Sequence, residues 1–90
     1  MTTKLPAEIN FLNDDEPLKK IYNLTNELSD IIEIPNDRYR LAYTLYQFYE
    51  NKIGTILEAI DQAKPQTGSK NYIELEKIIK TKFGDKGLEK

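Results

Sequence analysis

The run Arg38-Tyr-Arg-Leu-Ala-Tyr-Thr-Leu-Tyr-Gln-Phe-Tyr49 decides how the chain is interpreted, because it combines helical spacing with an unusual set of side chains. Both arginines of the chain and four of its six tyrosines fall inside it. Spacings of four and three place three tyrosines on one helical face, namely Tyr39, Tyr43 and Tyr46. A neighbouring face is strictly apolar and comprises Leu41, Leu45 and Phe48. Two such faces predict two contacts, and a preceding helix can cover only one of them. The tyrosine stripe is left for a third helix, a second subunit or a ligand.

Length and composition predict one small globular domain. Ninety residues bury only roughly 60 to 65% of the surface that the unfolded chain exposes. With 39% hydrophobic and 31% charged residues, the chain is globular rather than disordered. Self-association into a homo-oligomer would relieve the shortage of core, so we expect it.

The residue types that are missing exclude several kinds of chemistry. The chain has no Cys and no His, which removes disulfides, thiolate metal sites, cysteine nucleophiles and the commonest general base. The acids at Asp14, Asp15 and Glu16 lack the spacing of a calcium loop and are interpreted as helix caps. Glu50, Glu58 and Asp61 form no acid/base relay with a Lys. We therefore expect no enzyme activity, no catalytic residue, no metal site and no cofactor.

Charge and hydropathy limit the partners and the location. A net charge of -2 and a pI near 5.1 argue against binding to duplex DNA, which needs a basic surface. No apolar run is long enough for a membrane span, and the N-terminus lacks the pattern of a secretory signal. A cytoplasmic location is the expectation. The last third of the chain is rich in lysine, from Lys70 onward, and is interpreted as an ordinary charged helix face.

Apolar periodicity predicts where the first helix lies. Residues 1–13 have few apolar anchors and are expected to form an arm. The first helix is predicted over residues 14–33, with acids and Pro17 in its first turn. It should end before Pro35, because a proline disfavours helical backbone at the residue that precedes it.

The second pattern is longer. Helical spacing continues over residues 36–64, and Gly54 in its interior can mark a kink, a break or a close crossing. We expect a continuous or mildly kinked helix. A third helix is predicted over residues 69–83 with Ser69 as its cap, followed by a loose tail over residues 84–90. The fold class is all-α: a small bundle of three helices, or of four if the long one breaks, built on an antiparallel hairpin.

The two arginines occupy a position that folding alone does not favour. Arg38 and Arg40 fall in the first turn of the second helix, where the helix dipole and unpaired N–H groups attract anions rather than cations. Their placement indicates specific partners. They can pair with acids such as Asp37, Glu33 or Asp14, or they can bind an anionic partner.

The segments Ile34-Pro-Asn-Asp-Arg-Tyr-Arg-Leu-Ala-Tyr-Thr-Leu45 and Ile56-Leu-Glu-Ala-Ile60 resemble the helical hairpin of phage sponge proteins. These anti-CBASS and anti-Thoeris proteins sequester the cyclic nucleotide signals of bacterial immune systems. The resemblance runs from Leu18 to Pro65, although this chain has tyrosines where small or acidic residues are common in the family. It implies an oligomeric helical protein that binds a cyclic nucleotide without hydrolysing it. The residues it implies for phosphate contact and base stacking are Arg38, Arg40, Tyr43 and Thr44.

Two other families are similar in outline. Small bacteriocin immunity proteins are compact helical bundles of about this length, and their last helix and tail would carry recognition of a protein partner. Death-like adaptor domains of bacterial defence systems resemble the run from Leu41 to Pro65, which ends in Gln62-Ala-Lys-Pro. Adaptor domains usually have more and shorter helices, and this hypothesis predicts a chain cut from a longer protein.

Overall fold

The protein is an all-helical bundle. The computed structural model describes the backbone of residues 16–86 and the side chains of residues 16–83. Four helices occupy this range: α1 Pro17–Asn26, α2 Pro35–Tyr49, α3 Ile56–Ala63 and α4 Tyr72–Lys86. Each helix packs against the next along the chain, and no strand occurs between residues 16 and 86. The predicted all-α class is confirmed. The predicted arm over residues 1–13 lies outside the described residues.

One hydrophobic core joins the four helices. Every helix contributes buried apolar side chains at spacings of three or four. The largest apolar side chains that are fully buried in the core belong to Ile21, Ile32, Leu41, Leu45, Ile60, Leu75, Ile79 and Phe83. Full burial of each such side chain stabilises the fold by about 1.5–3 kcal/mol. This core fixes the relative positions of α1 and α2, which carry the candidate site.

The prediction of a continuous helix over residues 36–64 is wrong, because the chain leaves the helix at Tyr49. Asn51 takes a left-handed conformation with φ 67°. Its N–H donates to the carbonyl of Phe48 at 3.0 Å, and the N–H of Lys52 donates to the carbonyl of Gln47 at 2.8 Å. These two bonds form a Schellman motif, which closes a helix C-terminus. Asparagine tolerates the left-handed conformation better than most residues.

The next helix starts again at a dedicated cap. Thr55 lies before α3, and its Oγ1 accepts a hydrogen bond from the N–H of Glu58 at 3.1 Å. A threonine followed three residues later by a glutamate is the sequence signature of a capping box. Gly54 lies exposed in the connection and does not have a positive φ. The helix therefore ends because of Asn51 and restarts because of Thr55, and Gly54 decides neither event.

The outer boundaries also differ from prediction. The α-helix that was expected to reach residue 33 ends at Asn26, and a series of turns over residues 27–31 follows. Leu28 and Ile32 remain buried, so the apolar stripe outlasts the helical backbone. The last helix starts after Asn71, whose Oδ1 accepts from the N–H of Glu74 at 2.8 Å, and not after Ser69. It continues to Lys86, through the first residues of the predicted tail.

Candidate functional site

Arg38 ties the start of α2 to the chain that precedes it. Its Nη1 donates to the carbonyl oxygens of Ile32 at 2.7 Å and Glu33 at 3.2 Å. Its Nε donates to Oδ1 of Asn26 at 3.3 Å. The guanidinium thus satisfies backbone acceptors of the turn between α1 and α2. The sequence led us to expect that Arg38 would pair with a carboxylate. Sequence patterns give no signal for backbone carbonyl acceptors in an irregular turn.

Arg40 belongs to a different network, which joins α2 to the end of α3. Its Nη2 lies 2.6 Å from Oδ1 of Asp37, and its Nε donates to the carbonyl of Ala63 at 3.0 Å. The second oxygen of Asp37 accepts from the N–H of Gln66 at 3.0 Å. Asp37 is only 6% exposed. Asp37 is one of the three acids that the sequence offers as partners for the two arginines, and it pairs with Arg40.

This network explains why an arginine stands at the start of a helix. Arg40 is unfavourable at the positive end of the α2 dipole, but its guanidinium reaches the negative end of α3 at Ala63. Asp37, in the first turn of α2, has the charge that the α2 dipole favours. The acidic and basic side chains together therefore complement two helix termini at once.

The other two predicted site residues behave differently from each other. Oγ1 of Thr44 donates to the carbonyl of Leu41 within α2, at 3.0 Å. Tyr43 packs edge to face against Tyr39, with ring centroids 5.2 Å apart. The hydroxyl oxygen of Tyr43 is buried and has no hydrogen-bond partner among residues 16–83. Of the four residues, Tyr43 alone keeps an unsatisfied polar group, and a buried hydroxyl without a partner costs about 1–3 kcal/mol.

The four residues do not converge on one binding pocket. Arg38 donates its hydrogen bonds to the turn before α2, whereas Arg40 donates to the carbonyl of Ala63 at the end of α3. A phosphate group held by both guanidinium groups would need to draw them away from these contacts. The structure thus separates two arginines that the sequence placed two positions apart.

Four of the tyrosines instead pack together in a second hydrophobic cluster, beside the main core. We call it the tyrosine face; it consists of Leu18, Tyr22, Tyr39, Tyr43 and Tyr46. Leu18 and Tyr39 are buried, and the other three are half-buried. Because Tyr22 also packs against the main core, α1 lies against both faces of α2. The expectation that α1 would leave the whole tyrosine stripe to another element is therefore wrong, because Leu18 and Tyr22 of α1 belong to the same cluster.

Tyr46 and its surroundings set the electrostatics of this face. Burial raises the pKa of the Tyr46 phenol above its ordinary value of 10.0, and the nearby carboxylate of Glu50 raises it further by favouring the neutral phenol. The ring of Tyr49 lies nearly parallel to that of Tyr46, at 6.4 Å between centroids. At neutral pH the hydroxyl of Tyr46 is a hydrogen-bond donor at the edge of an aromatic surface.

The described residues contain no metal site, no membrane-spanning helix and no open cavity at the core. No group of three or more acidic side chains between residues 16 and 83 could hold a metal ion. Among helices α1 to α4, none is long and apolar enough to cross a membrane. A depression between α1, α2 and α4 is lined by Leu24, Leu28, Leu45, Ile79 and Phe83, among others, and has no space for a water molecule. This depression is part of the packed core and not a ligand-binding pocket.

Comparison with models of known protein families, with curated proteins and with solved structures finds no significant match to this chain.

Proposed function

We propose that this chain is a non-catalytic binding protein that recognises another protein through its tyrosine face. The observation that carries the proposal is the grouping of three half-buried tyrosines, Tyr22, Tyr43 and Tyr46, on one side of the α1–α2 pair. Tyrosine is enriched at protein interfaces because it offers a large ring at small conformational cost and a hydroxyl for hydrogen bonding. Such residues often dominate binding energy.

The arginine contacts favour a protein partner over a nucleotide. Drawing Arg40 to a phosphate would leave the carboxylate of Asp37 without its ion-pair partner and the carbonyl of Ala63 without its donor. Drawing Arg38 away would leave the carbonyls of Ile32 and Glu33 without their donor. Sequestration of a cyclic nucleotide, the leading hypothesis from the sequence, stays a prediction. The internal hydrogen bonds of both arginines count against it.

Among protein-binding functions, we favour immunity against a bacteriocin. The alternative, a death-like adaptor domain, would be expected to have more and shorter helices than the four between residues 16 and 86. An immunity protein of this kind acts by occupying a partner, and it needs a rigid aromatic surface rather than a reaction centre. The tyrosine face supplies such a surface.

The test is protection of sensitive cells. The full chain is expressed in a sensitive host, which is then challenged with a panel of bacteriocins. We expect protection against at least one toxin, and its loss in the Tyr46→Ser variant at equal protein level and with a folded far-UV spectrum. The matched control is Ile34→Ser, because Ile34, just before α2, is 39% exposed and lies outside both the tyrosine face and the last helix. The control should protect as well as the parent chain.

Two outcomes would contradict the proposal. One is an absence of protection against every toxin in the panel. The other is a rise in melting temperature with a cyclic nucleotide that Arg38→Ala with Arg40→Ala abolishes, since this would return the function to nucleotide sequestration.

A further inference from the structure

Charge is unevenly distributed along the described chain. Residues 16–63 contain five Lys and Arg against eight Asp and Glu, a net charge of -3. Residues 64–83 contain five Lys against two Glu, a net charge of +3. The segment that leads into and forms α4 is therefore basic in a domain that is otherwise acidic: Lys64 and Lys70 precede the helix, and α4 has three Lys and two Glu up to residue 83. Such an asymmetry creates opposite electrostatic potentials on different surfaces of one small domain.

The negative surface nearest to α4 lies on α3. Glu58 and Asp61 are three residues apart, so they share one helical face, and both are exposed. Neither carboxylate forms an ion pair with another side chain between residues 16 and 83. The outer side of α3 thus presents two uncompensated negative charges.

The positive surface lies on the outer side of α4. Lys77 is exposed and has no ion-pair partner among the described residues. Lys70, which precedes α4, and Lys80 make only long pairs of 3.7 Å, with Glu74 and Glu76 of α4 respectively. Exposed pairs of this kind are worth about 0–1 kcal/mol, so both lysines stay available to another surface. Ile73 lies between these lysines and is the most exposed large apolar side chain of the described chain.

Helices α3 and α4 pack against each other and form one side of the bundle. We propose that this side of the bundle binds a second copy of the same chain. A twofold axis between the copies sets each acidic α3 against the basic α4 of its partner, and both contacts form at the same time. Interfaces of this isologous kind are the commonest way in which proteins form dimers. Ile73 contributes the apolar contact.

This dimer is independent of the proposed function, because α3 and α4 contribute no residue to the tyrosine face. Each dimer would carry two copies of that face. Failure of the dimer leaves the protection experiment unaffected, and the reverse also holds.

The first measurement is sedimentation equilibrium of the full chain at low and high NaCl. Exposed charges are screened beyond about 10 Å at 0.1 M salt and beyond about 3 Å at 1 M. We expect a dimer at low salt whose dissociation constant rises by about tenfold or more at high salt. A monomer at low salt and millimolar protein concentration would overturn the proposal, as would a dimer that is insensitive to salt.

Charge reversal tests the geometry. Asp61→Lys sets two lysine-bearing surfaces against each other in the homodimer, and Lys77→Glu does the same with two acidic ones, so each single variant should be monomeric. The double variant in one chain restores opposite charges at both contacts and should dimerise again. If the double variant stays monomeric while all variants have the parent far-UV spectrum, the pairing of α3 with α4 is refuted. Dissociation by Tyr46→Ser would likewise refute it.

Discussion

Removal of the Asp37 carboxylate should be among the most damaging changes to a polar residue of this chain. In Asp37→Ala the N–H of Gln66 loses its acceptor, at 3.0 Å in the parent, and a partly buried hydrogen bond to a charged group contributes about 1.5–3 kcal/mol. Arg40 loses its ion pair, but its side chain is 51% exposed, so this contact adds only about 0–1 kcal/mol. Loss of an acid from the first turn of α2 adds about 0.3–1 kcal/mol.

Together these contributions predict a loss of about 2–5 kcal/mol in the free energy of unfolding. For a domain of this size, that corresponds to a fall in melting temperature of about 10–25 °C. Urea denaturation followed by far-UV circular dichroism gives the free energy directly. Asp37→Asn keeps one acceptor and should lose less. The matched control is Asp30→Ala, an exposed aspartate in the turns after α1, which should change stability by no more than about 0.5 kcal/mol. If Asp37→Ala unfolds within that same margin of the parent, the network does not hold α2 to α3 as argued.

Two further predictions concern the backbone at Lys64 and the titration of Tyr46. Lys64 ends α3 in a left-handed conformation with φ 52°, so Lys64→Gly should raise the free energy of unfolding by about 0.5–1 kcal/mol, whereas Lys64→Ala should give no gain in the same denaturation experiment. Because folding raises the pKa of Tyr46, its contribution to stability is full below the ordinary value of 10.0 and is lost as the pH rises through the folded value. Ultraviolet absorbance should therefore show a late-ionising tyrosine that Tyr46→Phe removes, and an unchanged titration in that variant would contradict the assignment.

The helical class and most of the core follow from the sequence because apolar spacing is a strong local signal. Leu41, Leu45 and Ile60 were placed on buried faces by periodicity alone, and all three are fully buried. The break after Tyr49 was missed because the same spacing continues across it. Its signals are present in the sequence: Asn51 can take a left-handed conformation, and the threonine-to-glutamate spacing from Thr55 to Glu58 marks a new helix. The prediction placed any kink or break at Gly54 instead.

The candidate site was less accessible to sequence reasoning. The sequence indicates specific partners for Arg38 and Arg40 and offers three acids, of which Asp37 pairs with Arg40. The carbonyl of Ala63 as an acceptor depends on the position of α3, which depends in turn on the missed break. Local patterns do not encode a contact between residues 23 positions apart. The tyrosine stripe can be identified from the sequence, but its partial burial by α1 depends on tertiary packing.

The arrangement of the aromatic residues gives the protein an internal optical probe. The chain has six tyrosines and no tryptophan. Five of the tyrosines lie on α1 and α2, whereas Tyr72 lies alone on α4 and donates to the carbonyl of Pro65 at 3.1 Å. Near-ultraviolet circular dichroism therefore reports chiefly on the α1–α2 pair, while far-ultraviolet dichroism reports on all four helices. A partner that reorders the phenol rings would alter the first signal and leave the second unchanged, so its binding can be followed without any label.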